Sequence, residues 1–162
     1  MTAAAKSCLH RGERSLPMKK SHKALIFIAS ILAIALMAAA LFLFAPAGVT
    51  TVDGISFSVP PDTVTPAGAV YTVINETDGI VTFGAPYTIE KKGLWGWRKC
   101  LPHPLATGWT AVAYVAWPTA TQDLNWSYLY GELSPGTYRL VKEINAAGTE
   151  YTLAAEFTVP KQ

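Results

Sequence analysis

"NWSYLYGELSPGTYRLVKEI", residues 125–144, is the stretch that decides how this 162-residue chain folds. It sets Pro135-Gly136 two residues ahead of Tyr138 and then runs into an apolar-rich segment. Proline presets one backbone angle of a turn, and glycine accepts a positive φ without steric penalty. Leu133 is placed to plug a core. Tyr138 buries its ring there and needs a partner for its hydroxyl. Such a set of residues suits the corner of a two-sheet sandwich, where a tyrosine near the start of the penultimate strand bonds back to the backbone. Leu133, Pro135, Gly136 and Tyr138 are therefore read as a structural corner, in preference to a ligand-binding loop.

Outward from this corner the exported-looking part of the chain reads as short β segments separated by turn signals. "AVYTVIN" (69–75) is a strand closed by "ETDG". "GIVTFG" (79–84) and "APYTIEKK" (85–92) are extended, with a break at Gly84-Ala85-Pro86. "LWGWRKC" (94–100) reads as a short aromatic strand, "WTAVAYVAW" (109–117) as a strand ended by Pro118, and "TQDLNWSY" (121–128) as a shorter one. "TYRLVKEI" (137–144) and "EYTLAAEFTV" (150–159) form a hairpin around "NAAG". In its second arm Tyr151, Leu153, Ala155, Phe157 and Val159 alternate with more polar neighbours, the mark of a half-buried strand. "ISFSVPPDTVTPAG", from residue 55, reads as an edge strand, because proline cannot donate to a sheet ladder. No segment has a convincing helical period. About seven strands in roughly 110 residues predict an all-β, immunoglobulin-like antiparallel sandwich.

The opening stretch also resembles the signature of a bacterial immunoglobulin-like domain family of exported proteins and lipoproteins. Trp126, Ser127, Leu129, Tyr130, Gly131, Leu133, Pro135, Gly136, Tyr138, Arg139, Leu140, Val141 and Lys142 carry the likeness. "VINETDGIVTFGAPYTIEKK" (73–92) is similar to the family's earlier segment, with "GLWGWRKC" where a tryptophan-containing stretch usually follows. The resemblance spans about residues 55–159. It implies an envelope location and no established enzymatic role. The chain differs from the family's lipoproteins in having no cysteine after its apolar run.

That apolar run is "ALIFIASILAIALMAAALFLFA", residues 24–45, which holds no charge. As a helix at about 1.5 Å per residue it is about 33 Å long, enough for a hydrocarbon core of about 30 Å. Residues 1–23 contain six basic residues and one acid, whereas residues 46–162 contain seven basic and ten acidic residues. The basic flank is therefore expected in the cytoplasm and the C-terminal part outside it, in a single-pass arrangement at the cell membrane. The net charge of +2 is an orientation signal and not a nucleic-acid-binding one. Ala45-Pro46-Ala47 before Gly48 also fits a cleavage site, so release of a secreted domain after Ala47 is the alternative to a retained anchor. "MKKSHKALIFIAS", beginning at Met18, reads as a compact signal start, which leaves translation from Met1 or Met18 open. The expected layout is a basic tail (1–23), an anchor or signal segment (24–45), a linker (46–54) and the sandwich domain (55–162). Cys8 and Cys100 fall on opposite sides of the apolar run and cannot pair within one chain.

Nothing in the sequence nominates catalysis or a cofactor. His103 is the one histidine of the exported part, no nucleophile-elbow motif is present, and metal sites need several convergent ligands. The expectation is a non-enzymatic protein without metal or cofactor. Trp95, Trp97, Arg98 and Lys99 form the candidate binding surface. On a strand the two tryptophans share a face, either packed in the core or exposed as an aromatic platform with a basic rim for a glycan or acidic polymer. Trp109, Trp117 and Trp126 read as core or corner residues. Beyond the membrane itself, the expected partner is another envelope component, protein or glycan.

Overall fold

The computed structural model describes residues 19–106 and 108–161; the basic tail up to residue 18, with Cys8, lies outside them. The chain divides into two units, one formed by the helical segment through Ala40 and one from Leu41 onward. The first is a helix, α1 (Lys19–Leu43 in full), whose stretch Leu25–Leu43 is long and apolar enough to cross a membrane. Its composition accounts for this: the run is rich in Ala and Leu, which favour helix, and Ser30 returns its hydroxyl to the carbonyl of Ile26.

From Leu41 on, the described residues form nine strands in two antiparallel sheets. The smaller sheet has the order β1 (Ile55–Ser58), β2 (Gly68–Asn75), β7 (Thr119–Asn125). The larger one contains β5 (Gly96–Lys99), β4 (Thr88–Gly93), β8 (Gly136–Ala146), β3 (Val81–Gly84) and β6 (Ala113–Ala116), in that order. β9 (Thr149–Val159) runs along the other side of β8. The immunoglobulin-like sandwich expected from the sequence is thus the fold, with nine strands where about seven were counted. β1 pairs with β2 alone and ends before Val59-Pro60-Pro61, which matches its reading as an edge strand. Two readings change at the element level. The strand placed at 109–117 is confined to residues 113–116, and 121–128 ends in a one-turn helix, α2 (Ser127–Tyr130). α2 begins after Trp126, where the chain leaves the smaller sheet.

Alternation fills the space between the sheets. Ala69, Tyr71 and Val73 of β2 face Val81, Ile89, Leu140, Ile144, Leu153, Ala155 and Phe157, all buried. Phe57, Tyr71, Phe83 and Tyr114 form an aromatic ladder across the two sheets, with centroids 5.4–6.1 Å apart. Asn75 is buried too, but both ends of its amide are engaged. It donates to the carbonyls of Gly79 and Ala116 and accepts from the Thr77 amide and hydroxyl, which closes the turn after β2.

Trp109 and Trp117 differ from expectation. Trp126 is fully buried, whereas Trp117 is 60% exposed and Trp109 remains partly open, edge-on to Tyr87. The physical reason for Trp117 is its place directly after the short edge strand β6, beside Pro118, where the larger sheet ends and no neighbour covers it.

Candidate functional site

The candidate binding residues lie on the β4–β5 hairpin. Its register pairs Lys92 with Trp97 and Gly93 with Gly96, which leaves Leu94 and Trp95 as a two-residue turn. The strand reading of 94–100 is corrected here: Trp95 is in the turn and does not share a strand face with Trp97. Large apolar side chains occupy the tip, with Leu94 99% and Trp95 87% exposed. Trp97 is half-buried, its ring approached by Lys92 Nζ at 5.3 Å and Arg139 Cζ at 4.8 Å. Alternation puts Lys99 on the Trp97 face and Arg98 on the other, paired across from Lys91. The structure therefore places these residues in one hairpin without forming a flat two-tryptophan platform. Leu94 was not singled out from the sequence. The signal was present in Gly93-Leu94-Trp95-Gly96, two glycines enclosing a two-residue turn.

The base of this hairpin holds the chain that follows the apolar run. Glu90, fully buried, accepts from Arg139 Nε at 2.7 Å and Nη2 at 2.6 Å through one carboxylate oxygen. Its other oxygen accepts the Ala47 amide at 2.6 Å, and Arg139 Nη2 donates to the Ala47 carbonyl at 3.2 Å. Glu90 and Arg139 are direct cross-strand neighbours of β4 and β8. Both backbone groups of Ala47 are thus gripped by one ion pair. Three residues on, the Thr50 amide donates to the Thr152 carbonyl at 2.8 Å, and its hydroxyl accepts from the Thr152 amide at 3.2 Å. Residues 47–50, within the stretch expected as a linker, are accordingly tied to the larger sheet. Leu41, Phe44, Ala45 and Pro46 line a cleft with Trp95, Gly96, Trp97 and Arg98.

The corner residues assemble beside Lys91, one residue further along β4 from Glu90, where Tyr138 is its cross-strand partner. Tyr138 is 2% exposed, and its hydroxyl donates to the Ser134 carbonyl at 2.8 Å. Its ring stacks on Phe157, which stacks on Trp126. Trp126 Nε1 donates to the Pro66 carbonyl at 2.7 Å, and the same carbonyl accepts the Leu133 amide at 2.8 Å. Lys91 reaches over the Tyr138 ring and donates to the Ser134 hydroxyl. A Cβ on Gly136 would come within 3.3 Å of Lys91 Cε, so glycine admits that side chain. Segment 126–135 carries the chain from the smaller sheet to the larger. Every one of these contacts is internal.

Three groups bear on chemistry. Lys142 is 2% exposed and lies between Tyr71 of one sheet and Phe83 of the other. Its ammonium donates to the carbonyls of Gly84 at 2.6 Å and Pro86 at 3.1 Å, which satisfies the break between β3 and β4. Burial lowers its pKa to about 8. Cys100 is half-buried against the core. Burial pushes its thiol up, Lys91 opposes this and Glu90 adds to it, so the reactive thiolate is disfavoured. His103 sits in an exposed loop, and its Nδ1 accepts the Leu105 amide at 3.3 Å. Among the described residues no three His, Cys, Asp or Glu side chains converge to hold a metal ion.

Two antiparallel sheets, joined through a buried tyrosine corner, define an immunoglobulin-like β domain. A family model of the bacterial Ig-like domain matches residues 51–158, and the chain belongs to that family. No curated protein and no solved structure matches it.

Proposed function

We propose that this is a non-enzymatic, membrane-anchored envelope protein. Its N-terminal helix is the tether, and the bacterial Ig-like domain lies on the extracytoplasmic side, where it binds or scaffolds another envelope component. The observation that carries this reading is the direct succession of an apolar helix, Leu25–Leu43, and an Ig-like domain gripped at Ala47. The basic flank at 1–23 supports the orientation. Family membership supports a binding module over an enzyme. The test is fractionation of cells expressing the full chain, followed by alkaline carbonate extraction and N-terminal analysis. The expected product stays in the membrane and keeps its helix. A soluble product beginning at Gly48 would overturn the anchor.

The exposure of Trp95 favours a second reading, a secreted glycan-binding module. Glycan pull-down discriminates: retention on cell-wall glycans that is abolished in Trp95→Ala supports this reading, whereas crosslinking to proteins without glycan retention supports the first.

A further inference from the structure

We propose that the tip of the β4–β5 hairpin, Leu94-Trp95, is a second membrane contact that inserts into the interfacial layer of the bilayer holding the apolar segment. The inference rests on the anchored reading above. Three observations converge on it.

The tip itself is the first. Hairpin turns normally carry Gly, Asn or Asp, yet this one presents a leucine and a tryptophan that are almost wholly exposed. Burying two such side chains is favourable when an apolar phase is at hand. Tryptophan in particular prefers the boundary between headgroups and acyl chains.

Position is the second. The Glu90–Arg139 pair holds Ala47 at the base of the hairpin, four residues after the end of α1 at Leu43. Trp95 and Trp97 share a cleft with Leu41, Phe44, Ala45 and Pro46, the last residues of the apolar run and the first beyond it. A bilayer that takes up the run to its end therefore reaches the level of the hairpin tip.

Charge is the third. Lys91, Lys92, Arg98 and Lys99 flank the tip, in a part of the chain, residues 46–162, whose other basic residues number three against ten acids. Lys91, Lys92 and Arg98 are exposed, Lys91 resting on the Ser134 hydroxyl and Lys92 facing Glu156 at 3.8 Å. Basic side chains beside an apolar tip match the anionic headgroups of a bacterial membrane. A glycan would use the flat face of Trp95 but has no use for Leu94.

The test uses the full chain in liposomes of phosphatidylcholine and phosphatidylglycerol, with and without a phosphatidylcholine brominated high on its acyl chains. All five tryptophans lie at position 95 or later, so the apolar helix contributes no emission. The expected result is bromine quenching of the wild type, at least half of it lost in Trp95→Phe and retained in Trp117→Phe. Trp117, also exposed, follows Ala116 at the Ala146 end of β8, whereas the hairpin tip lies toward its Gly136 end. Leu94→Asp is expected to reduce quenching without removing a tryptophan. Both tip substitutions are at exposed positions, and circular dichroism checks their folding. Equal quenching in wild type and Trp95→Phe, with the chain floating with the liposomes, overturns the inference and leaves the anchor standing. Failure of the full chain to float overturns both. Protection of Trp95 by soluble cell-wall glycan in place of lipid also overturns it and favours the glycan module.

Discussion

Tyr138, Lys142 and Ala147 each make a distinct physical demand on the fold. The Tyr138 hydroxyl donates to the Ser134 carbonyl across the corner, and Tyr138→Phe keeps the ring stacking on Phe157. The expected loss is about 1 kcal/mol or slightly more, read as a lower midpoint in chemical denaturation. No change in midpoint would remove the corner role. Lys142 gives a pH signature. Below pH 8 it is charged in both folded and unfolded chains, so the burial penalty is present in full. Between pH 8 and about 10 the folded chain gives up the proton while the unfolded chain retains it, so stability rises, by up to about 1.4 kcal/mol per pH unit. Cys100, Tyr71 and Tyr87, whose pKa values burial raises, act in the opposite sense at higher pH. The difference between wild type and Lys142→Met across this window isolates the lysine, and a flat difference would show that its proton is retained. Ala147 is a non-glycine residue with φ 51°, followed by Gly148 at φ 82°, in the two-residue turn between β8 and β9. Two positive φ values are the type I′ pattern that favours Asn-Gly. Ala147→Asn is expected to raise stability by about 0.5–1 kcal/mol.

At the scale of elements, the two hairpins were legible to different degrees. β8–β9 was readable because alternation in β9 continues over five apolar positions and "NAAG" is a recognisable turn. β4–β5 was not, because its turn is made of leucine and tryptophan, residues that ordinarily signal a strand. The same substitution of apolar for polar residues hid Leu94 and supports the membrane-contact reading. Tyr138 was legible because turn chemistry and a buried aromatic are local signals. The Glu90–Arg139–Ala47 grip was not, since its members are 43 and 92 positions apart. Glu90→Ala leaves Arg139 without its carboxylate and is expected to destabilise the domain by about 3 kcal/mol or more, measured by denaturant unfolding. The β2–β7 pairing has its own tight point: a Cβ on Gly68 would sit 2.3 Å from the Leu124 carbonyl oxygen. Gly68→Ala must therefore push the strands apart, with an expected loss of about 1–3 kcal/mol. An unchanged midpoint would show that β2 shifts freely.

For the whole molecule, the sandwich, the apolar segment and their order along the chain were evident from composition and periodicity. The described structure adds how the second unit is held where it begins. β8 is central to that. It pairs with β9, β4 and β3, supplies Arg139 to the larger sheet's outer face and sends Lys142 inward between the sheets. The candidate residues fall on one hairpin, with a geometry that differs from the strand reading. Strand periodicity had put Trp95 and Trp97 on one face, and only pairing with β4 reveals which residues turn.

The grip on Ala47 has a consequence for timing. The peptide bond to Gly48 follows a small-x-small sequence, and peptidases need an extended backbone whose amide and carbonyl groups are free. Once β4 and β8 have paired, both groups of Ala47 are occupied. Sandwiches with such distant pairings fold in about milliseconds to seconds. Anchored and released forms would then be separated by a race: cleavage has to occur before the ion pair closes. A chain whose grip on Ala47 is weakened, such as Glu90→Gln, should shed a larger fraction of its domain, so the ratio of the two forms reports on how early the ion pair closes.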